Sequence, residues 1–119
     1  KMIGDFGLKL DMKLKEMSKG MKDKLQIALS LSRKAKVYLL DEPLSGVDPS
    51  ARKKILDVMI DNFDPDGLII ISTHLISQIE KILDRAVFIS EGKVILNETV
   101  DEFRAKNKMG IEEYFEEVF

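Results

Sequence analysis

Three short, unbroken runs of aliphatic and aromatic residues constrain the fold of this chain more than any other feature: KVYLL (36–40), GLIIIS (67–72) and DRAVFIS (84–90). Each is too short for a stable helix, rich in β-branched residues, and continuous rather than alternating. That is the pattern of strands buried on both faces of a parallel sheet. Between the first two lies SARKKILDVMIDNF, whose Ile55, Val58, Met59 and Asn62 recur at helical spacing, and after the second comes a further helical segment, LISQIEKIL. Upstream, MKDKLQIALSLSRKA places Leu25, Ala28, Leu29 and Ser32 on one face of an amphipathic helix. Pairs such as Leu25/Leu29 and Ile79/Ile82 read as core. Strands alternating with helices predict an α/β fold with a parallel sheet, flanking helices and right-handed crossovers. FISEGKVILNE predicts a β-hairpin turning at Glu91-Gly92. From Val100 to Phe119 the pattern predicts two short helices broken near Gly110. GLKLDMKL (7–14) fits an edge strand or an extended loop equally.

Composition narrows the function. With 119 residues and 45% of them hydrophobic, one core is expected. A net charge of -2, with lysines and acids interspersed, supplies no basic stripe for a phosphate backbone, so direct binding to nucleic acid is not expected. The absence of cysteine rules out disulfides and thiolate metal sites and fits a reducing compartment. No segment approaches the roughly 20 apolar residues that span a bilayer. The first residues, KMIGDFGLKLD, interrupt their apolar positions with charges and glycines, unlike a signal peptide.

The chemistry is concentrated in VYLLDEPLSGVDPSAR (37–52). A parallel strand ending in Asp-Glu delivers two carboxylates to the carboxyl edge of its sheet, where open α/β folds place their ligands. A divalent cation relieves the repulsion between them. In that reading Asp41 holds Mg²⁺ through water, and Glu42, on the opposite side of the strand, orients or deprotonates a water that attacks a phosphate. Pro43 stops the strand. A capped turn of solvated acids would use the same two residues without any chemistry.

Four stretches, in order, resemble the ATP-binding-cassette (ABC) ATPases. VYLLDEP is similar to their Walker B strand, LSGVDP to their D-loop, and IISTH to the strand that ends in the switch histidine. MSKGMKDKLQIALSL resembles the signature motif and its following helix, in a variant like those of bacterial exporters of small peptides or antibiotics. The closing IEEYFEEVF is similar to the last helix of such subunits. The resemblance implies a P-loop NTPase-like fold, ATP and Mg²⁺ as cofactors, and roles for individual residues. Glu42 would be the catalytic base and Asp41 the metal-side carboxylate. Ser18 and Gly20, near the mouth of a helix beginning about Met21, would present a hydroxyl and backbone N–H groups to a γ-phosphate across a dimer interface. Asp48 would align the two halves at the D-loop, and His74 would reach the γ-phosphate as a hydrogen-bond donor and sensor. Local chemistry leaves plainer roles open. Ser18 fits an N-cap, Gly20 a turn glycine, Asp48-Pro49-Ser50 a helix start, and His74 a polar cap after a strand.

The departures from the family pattern are specific. Lys19 and Met21 replace a small residue and a glutamine of the signature, and no G-x-x-x-x-G-K-[ST] loop occurs in the sequence. The chain is therefore expected to be the carboxyl-terminal half of a longer subunit: 1–34 the end of a helical subdomain with the signature, 35–119 the corresponding part of the ATPase core. The expected whole is a cytoplasmic ATPase, peripheral on the inner face of the cell membrane, pairing with a second ATPase subunit and a permease. The fragment alone is expected to be inactive and to self-associate through open strand edges. Two other readings fit the same residues: a soluble ABC-type ATPase acting on ribosomes or chromosomes, and a non-catalytic α/β interaction module.

Overall fold

The computed structural model describes residue 4 and residues 6–119. The opening positions of the expected 1–34 segment, and of the KMIG stretch, fall outside the described residues. The chain divides after His74 into two compact units.

The first unit is built on one β-α-β crossover. A 3₁₀ turn at Leu14–Glu16 leads to α1 (Lys19–Ser32), whose N-cap is Ser18: its side chain accepts a hydrogen bond from the Met21 N–H at 3.2 Å. The helix starts two residues earlier than its sequence suggested, and Gly20 lies inside its first turn rather than in a turn before it. Of the residues expected on the apolar face of α1, Ala28 is buried and Leu25 half-buried, but Leu29 and Ser32 are exposed, and Ile27 and Leu31 are buried instead. The Tyr38 hydroxyl donates to the Arg33 carbonyl and so ties the end of α1 to β1 (Val37–Asp41). Then follow α2 (Pro49–Asn62), entered with proline at its first turn, and β2 (Leu68–Ser72). Ile55, Leu56, Val58 and Met59 of α2 are buried, and the Asn62 amide donates to the Val58 carbonyl at 2.8 Å. The strands are parallel and in register from Val37↔Leu68 to Asp41↔Ser72.

The continuous apolar runs predicted strands buried on both faces, and here they are not. Tyr38 and Leu40 are buried, while Val37, Leu39, Leu68 and Ile70 are exposed, Leu39 at 74%. The sheet among the described residues has two strands, so half of each run faces outward. Residues 7–14 form turns and loop, not an edge strand.

In the second unit a short α3 (Ile76–Ile79) passes into a 3₁₀ turn at Glu80–Ile82, where a single helix was expected. The third apolar run is β3 (Arg85–Ser90), but it is not a third parallel strand: it pairs antiparallel with β4 (Lys93–Thr99). The turn falls at Glu91-Gly92, as read from the sequence. Both residues have positive φ, 50° and 75°, the hairpin turn whose twist matches the strands. α4 (Val100–Asn107) is capped by Thr99, and α5 (Ile111–Val118) follows Gly110, matching the two expected helices. Phe88 of β3, Phe103 of α4 and Ile111 of α5 form a core with Val100 and Ile76; Tyr114 stacks on Phe88, and Phe115 meets it edge to face. Glu80 pins this assembly. Its Oε1 accepts from the Ile111 N–H at 2.8 Å and from Arg104 Nη2 at 3.2 Å. A Cβ at Gly110 would lie 2.9 Å from that oxygen, which is the reason for glycine there.

Candidate functional site

The carboxyl ends of β1 and β2 carry the site. Because the strands are parallel and in register, Asp41 and Ser72 sit side by side, and the Ser72 hydroxyl donates to Asp41 Oδ1. The next backbone group extends the ladder, with Glu42 N–H donating to the Ser72 carbonyl at 2.8 Å. Glu42 then turns out of the sheet with φ 45°, a left-handed conformation that few residues other than glycine adopt. Its side chain meets His74 two residues beyond β2, with His74 Nδ1 at 2.9 Å from Glu42 Oε1. An ionised carboxylate only accepts, so the hydrogen of this bond belongs to Nδ1, and Nε2 is left as the ring's other polar atom. The imidazole is 66% exposed and the Glu42 side chain 35%. Glu42 Oε2 is buried and has no hydrogen-bond partner. The pair thus presents one carboxylate held by an imidazole, the arrangement of an oriented base.

The remaining candidates lie on neighbouring elements. From Glu42 the chain runs through tight turns to α2, with Ser45 N–H and Oγ both donating to the Glu42 carbonyl at 3.3 and 3.2 Å and Val47 N–H to the Leu44 carbonyl at 3.2 Å. Asp48 occupies the N-cap position of α2, but its exposed carboxylate makes no capping hydrogen bond. Ser18 is at the start of α1 with its oxygen engaged by Met21, and a Cβ on Gly20 would meet nothing within 4 Å. The strand ends therefore pair Asp41 with Ser72 and Glu42 with His74, while Ser18 and Gly20 stand at the start of α1 and Asp48 at the start of α2. A cleft of about 400 Å³ opens between α1 and the end of β1, walled among others by Lys19, Asp23, Gln26, Asp41, Glu42 and Gly46. Sequence reasoning missed Ser72 as a partner of Asp41, although both close their strands. It also missed Asp23.

The donors suit Mg²⁺ in one respect. Among the described residues no three His, Asp or Glu side chains gather into a cage. Mg²⁺ does not ask for one: it takes one or two carboxylates and fills its octahedron with water and phosphate oxygens. Asp41, at a strand end beside an unsatisfied Glu42 oxygen, offers that kind of partial site.

Comparison with known proteins supplies the context. The family model described as "AAA domain, putative AbiEii toxin, Type IV TA system" matches residues 5–77. The lantibiotic transport ATP-binding protein SrtF of Streptococcus pyogenes is 40% identical over 89 residues, which are 74% of this chain and 38% of that protein. The human retinal-specific phospholipid-transporting ATPase ABCA4 is 36% identical over 100 residues, 82% of this chain and 4% of its own length. Among solved structures, an ATP binding subunit of an ABC transporter superposes with a TM-score of 0.78 at 27% identity, covering 98% of this chain and 51% of that one. The chain thus spans about half or less of the length of each of these three relatives.

Proposed function

Because the chain belongs to the ABC family of P-loop ATPases, we propose that it forms the carboxyl-terminal part of an ATP-hydrolysing subunit that works as a dimer and drives transport by a membrane permease. The observation that best supports this reading is the meeting of Glu42 and His74 at the end of two parallel strands, 2.9 Å apart and next to Asp41.

In this reading Glu42 takes the proton of the attacking water, and His74 holds the carboxylate in place through Nδ1–H. With Nδ1–H committed to Glu42, His74 donates to a γ-phosphate only through Nε2–H, which requires the imidazolium. Asp41, steadied by Ser72, holds Mg²⁺ through water. A bound Mg²⁺ supplies charge neutralisation at the phosphates. Ser18 and the N–H groups around Gly20 face the nucleotide of the second subunit from the start of α1, and Asp48 lies at the contact between subunits. Residues 1–34 and 35–119 correspond to the end of the helical subdomain and to part of the ATPase core. Among the described residues no helix is long and apolar enough to cross a membrane, consistent with a cytoplasmic subunit seated on the inner face. Transport is favoured over action on ribosomes or chromosomes because relatives at 40% and 36% identity are named for transport.

The test is Glu42→Gln in the complete subunit. Mg-ATP binding should stay within a few-fold of the parent, and hydrolysis should fall ~10²–10⁴-fold, the usual worth of a positioned base. Turnover near the parent rate would remove Glu42 from the role of base.

A further inference from the structure

The wall of the cleft opposite Glu42 carries two charged side chains to which the signature resemblance gives no role. Lys19 and Asp23 stand one helical turn apart at the start of α1, and both reach the loop that follows Glu42. A Cβ built on Gly46 would lie 2.9 Å from Asp23 Oδ2, 3.0 Å from Lys19 Nζ and 3.2 Å from Lys19 Cε. The loop backbone therefore presses into the space between an ammonium and a carboxylate, at a position where the sequence supplies no side chain. Asp23 Oδ2 is buried there without a hydrogen-bond partner.

We propose that Lys19 and Asp23 are positioning residues that clasp the loop at Gly46 and fix the start of α1, with Ser18, against the turn leaving Glu42. The proposal rests on the nucleotide reading above for its functional consequence, but not for its geometry. Glu42 leaves β1 in a left-handed conformation, and its carbonyl is held by Ser45 one residue before Gly46. Whatever holds Gly46 therefore limits the orientation of the Glu42 backbone. The two clasping side chains also stand one and five residues beyond Ser18, so the same contact ties the group expected to meet one nucleotide to the base expected to act on another. A methyl at Gly46 would evict the flexible ends of Lys19 and Asp23 at little cost to the backbone. Gly46→Ala should thus have the same effect as deleting the clasp.

The experiment is a mutant cycle in the complete subunit with Lys19→Met, Asp23→Ala, Gly46→Ala and the Asp23→Ala/Gly46→Ala double variant. Each is followed by ATPase kinetics and by amide hydrogen exchange in residues 44–48. Each single variant should lower kcat ~10-fold, leave KM for ATP within about two-fold, and speed exchange in the loop; small misplacements of catalytic groups cost this much or more. The double variant should be no worse than Gly46→Ala alone. Losses that multiply in the double variant, or single variants with the parent's kcat and exchange, would overturn the clasp. A parent subunit without ATPase activity would instead count against the nucleotide reading, and the exchange cycle would still decide the clasp.

Discussion

Glu42 holds a backbone conformation that its side chain makes unfavourable. A left-handed φ costs a residue with a Cβ roughly 1–2 kcal/mol relative to glycine, and such strain persists where surrounding structure over-determines it. Glu42→Gly should therefore leave stability unchanged or raise it by up to about 1 kcal/mol in chemical unfolding, while hydrolysis disappears. A clear loss of stability would show that the Glu42 side chain, through His74, holds the strand ends together. His74→Ala separates the two roles of the imidazole. It should slow hydrolysis ~10²-fold or more, because Glu42 Oε1 loses its partner at 2.9 Å; a parent rate would return His74 to the part of a polar cap. Ser18 invites a sharper contrast, since it is visibly an N-cap. Aspartate caps as well as serine, so Ser18→Asp should keep the stability that Ser18→Ala loses, about 1 kcal/mol. It should nevertheless abolish hydrolysis by setting a carboxylate against phosphate. A fully active Ser18→Asp subunit would leave Ser18 with its cap alone.

At the scale of elements, the second unit hangs on one carboxylate. Glu80 serves the first N–H of α5 and the guanidinium of Arg104 on α4, and Gly110 leaves it the room. Gly110→Ala should cost ~1–3 kcal/mol by displacing a charged acceptor from both donors, measurable as a lowered midpoint of thermal unfolding. An unchanged midpoint would show that Glu80 swings aside freely. How far these elements were legible depended on what a one-dimensional pattern encodes. Glu91-Gly92 between apolar segments states its turn, and Gly110 states its break. RAVFIS read both as a parallel strand and as the first arm of the Glu91-Gly92 hairpin, and among the described residues only the hairpin pairing is seen. In KLQIALSL two apolar pairs, Leu25/Leu29 and Ile27/Leu31, lie on opposite sides of the helix, and only the packing of α1 chooses the second. The emergence of Asp41 and Glu42 at the end of β1 was legible because an apolar run followed by proline fixes where a strand stops. The contact of Glu42 with His74 was not, because it depends on the register Asp41↔Ser72 across a crossover.

At the scale of the molecule, each unit shows water an aliphatic sheet face: Leu39 and Ile70 in the first, Val87 and Ile89 in the second. Open strand edges beside such faces favour association, so the isolated chain should scatter light as a dimer or larger species without nucleotide. Leu39→Lys with Ile70→Lys should shift it toward monomer. A monomeric parent would mean that those faces are tolerated in water. Calorimetry of the same chain with Mg-ATP should show no binding at micromolar concentrations, since no glycine-rich lysine loop is present in it. The crossover itself has a practical corollary. Gly67 N–H closes on the Asp64 carbonyl at 2.8 Å in a turn that lies at the opposite end of β2 from Ser72. A fluorophore tethered to the exposed Asp66 side chain would sit at the far end of β2 from Glu42 and His74 and leave the strand register that joins them unaltered. That turn is the natural handle for surface immobilisation or optical labelling of a subunit meant to keep its chemistry.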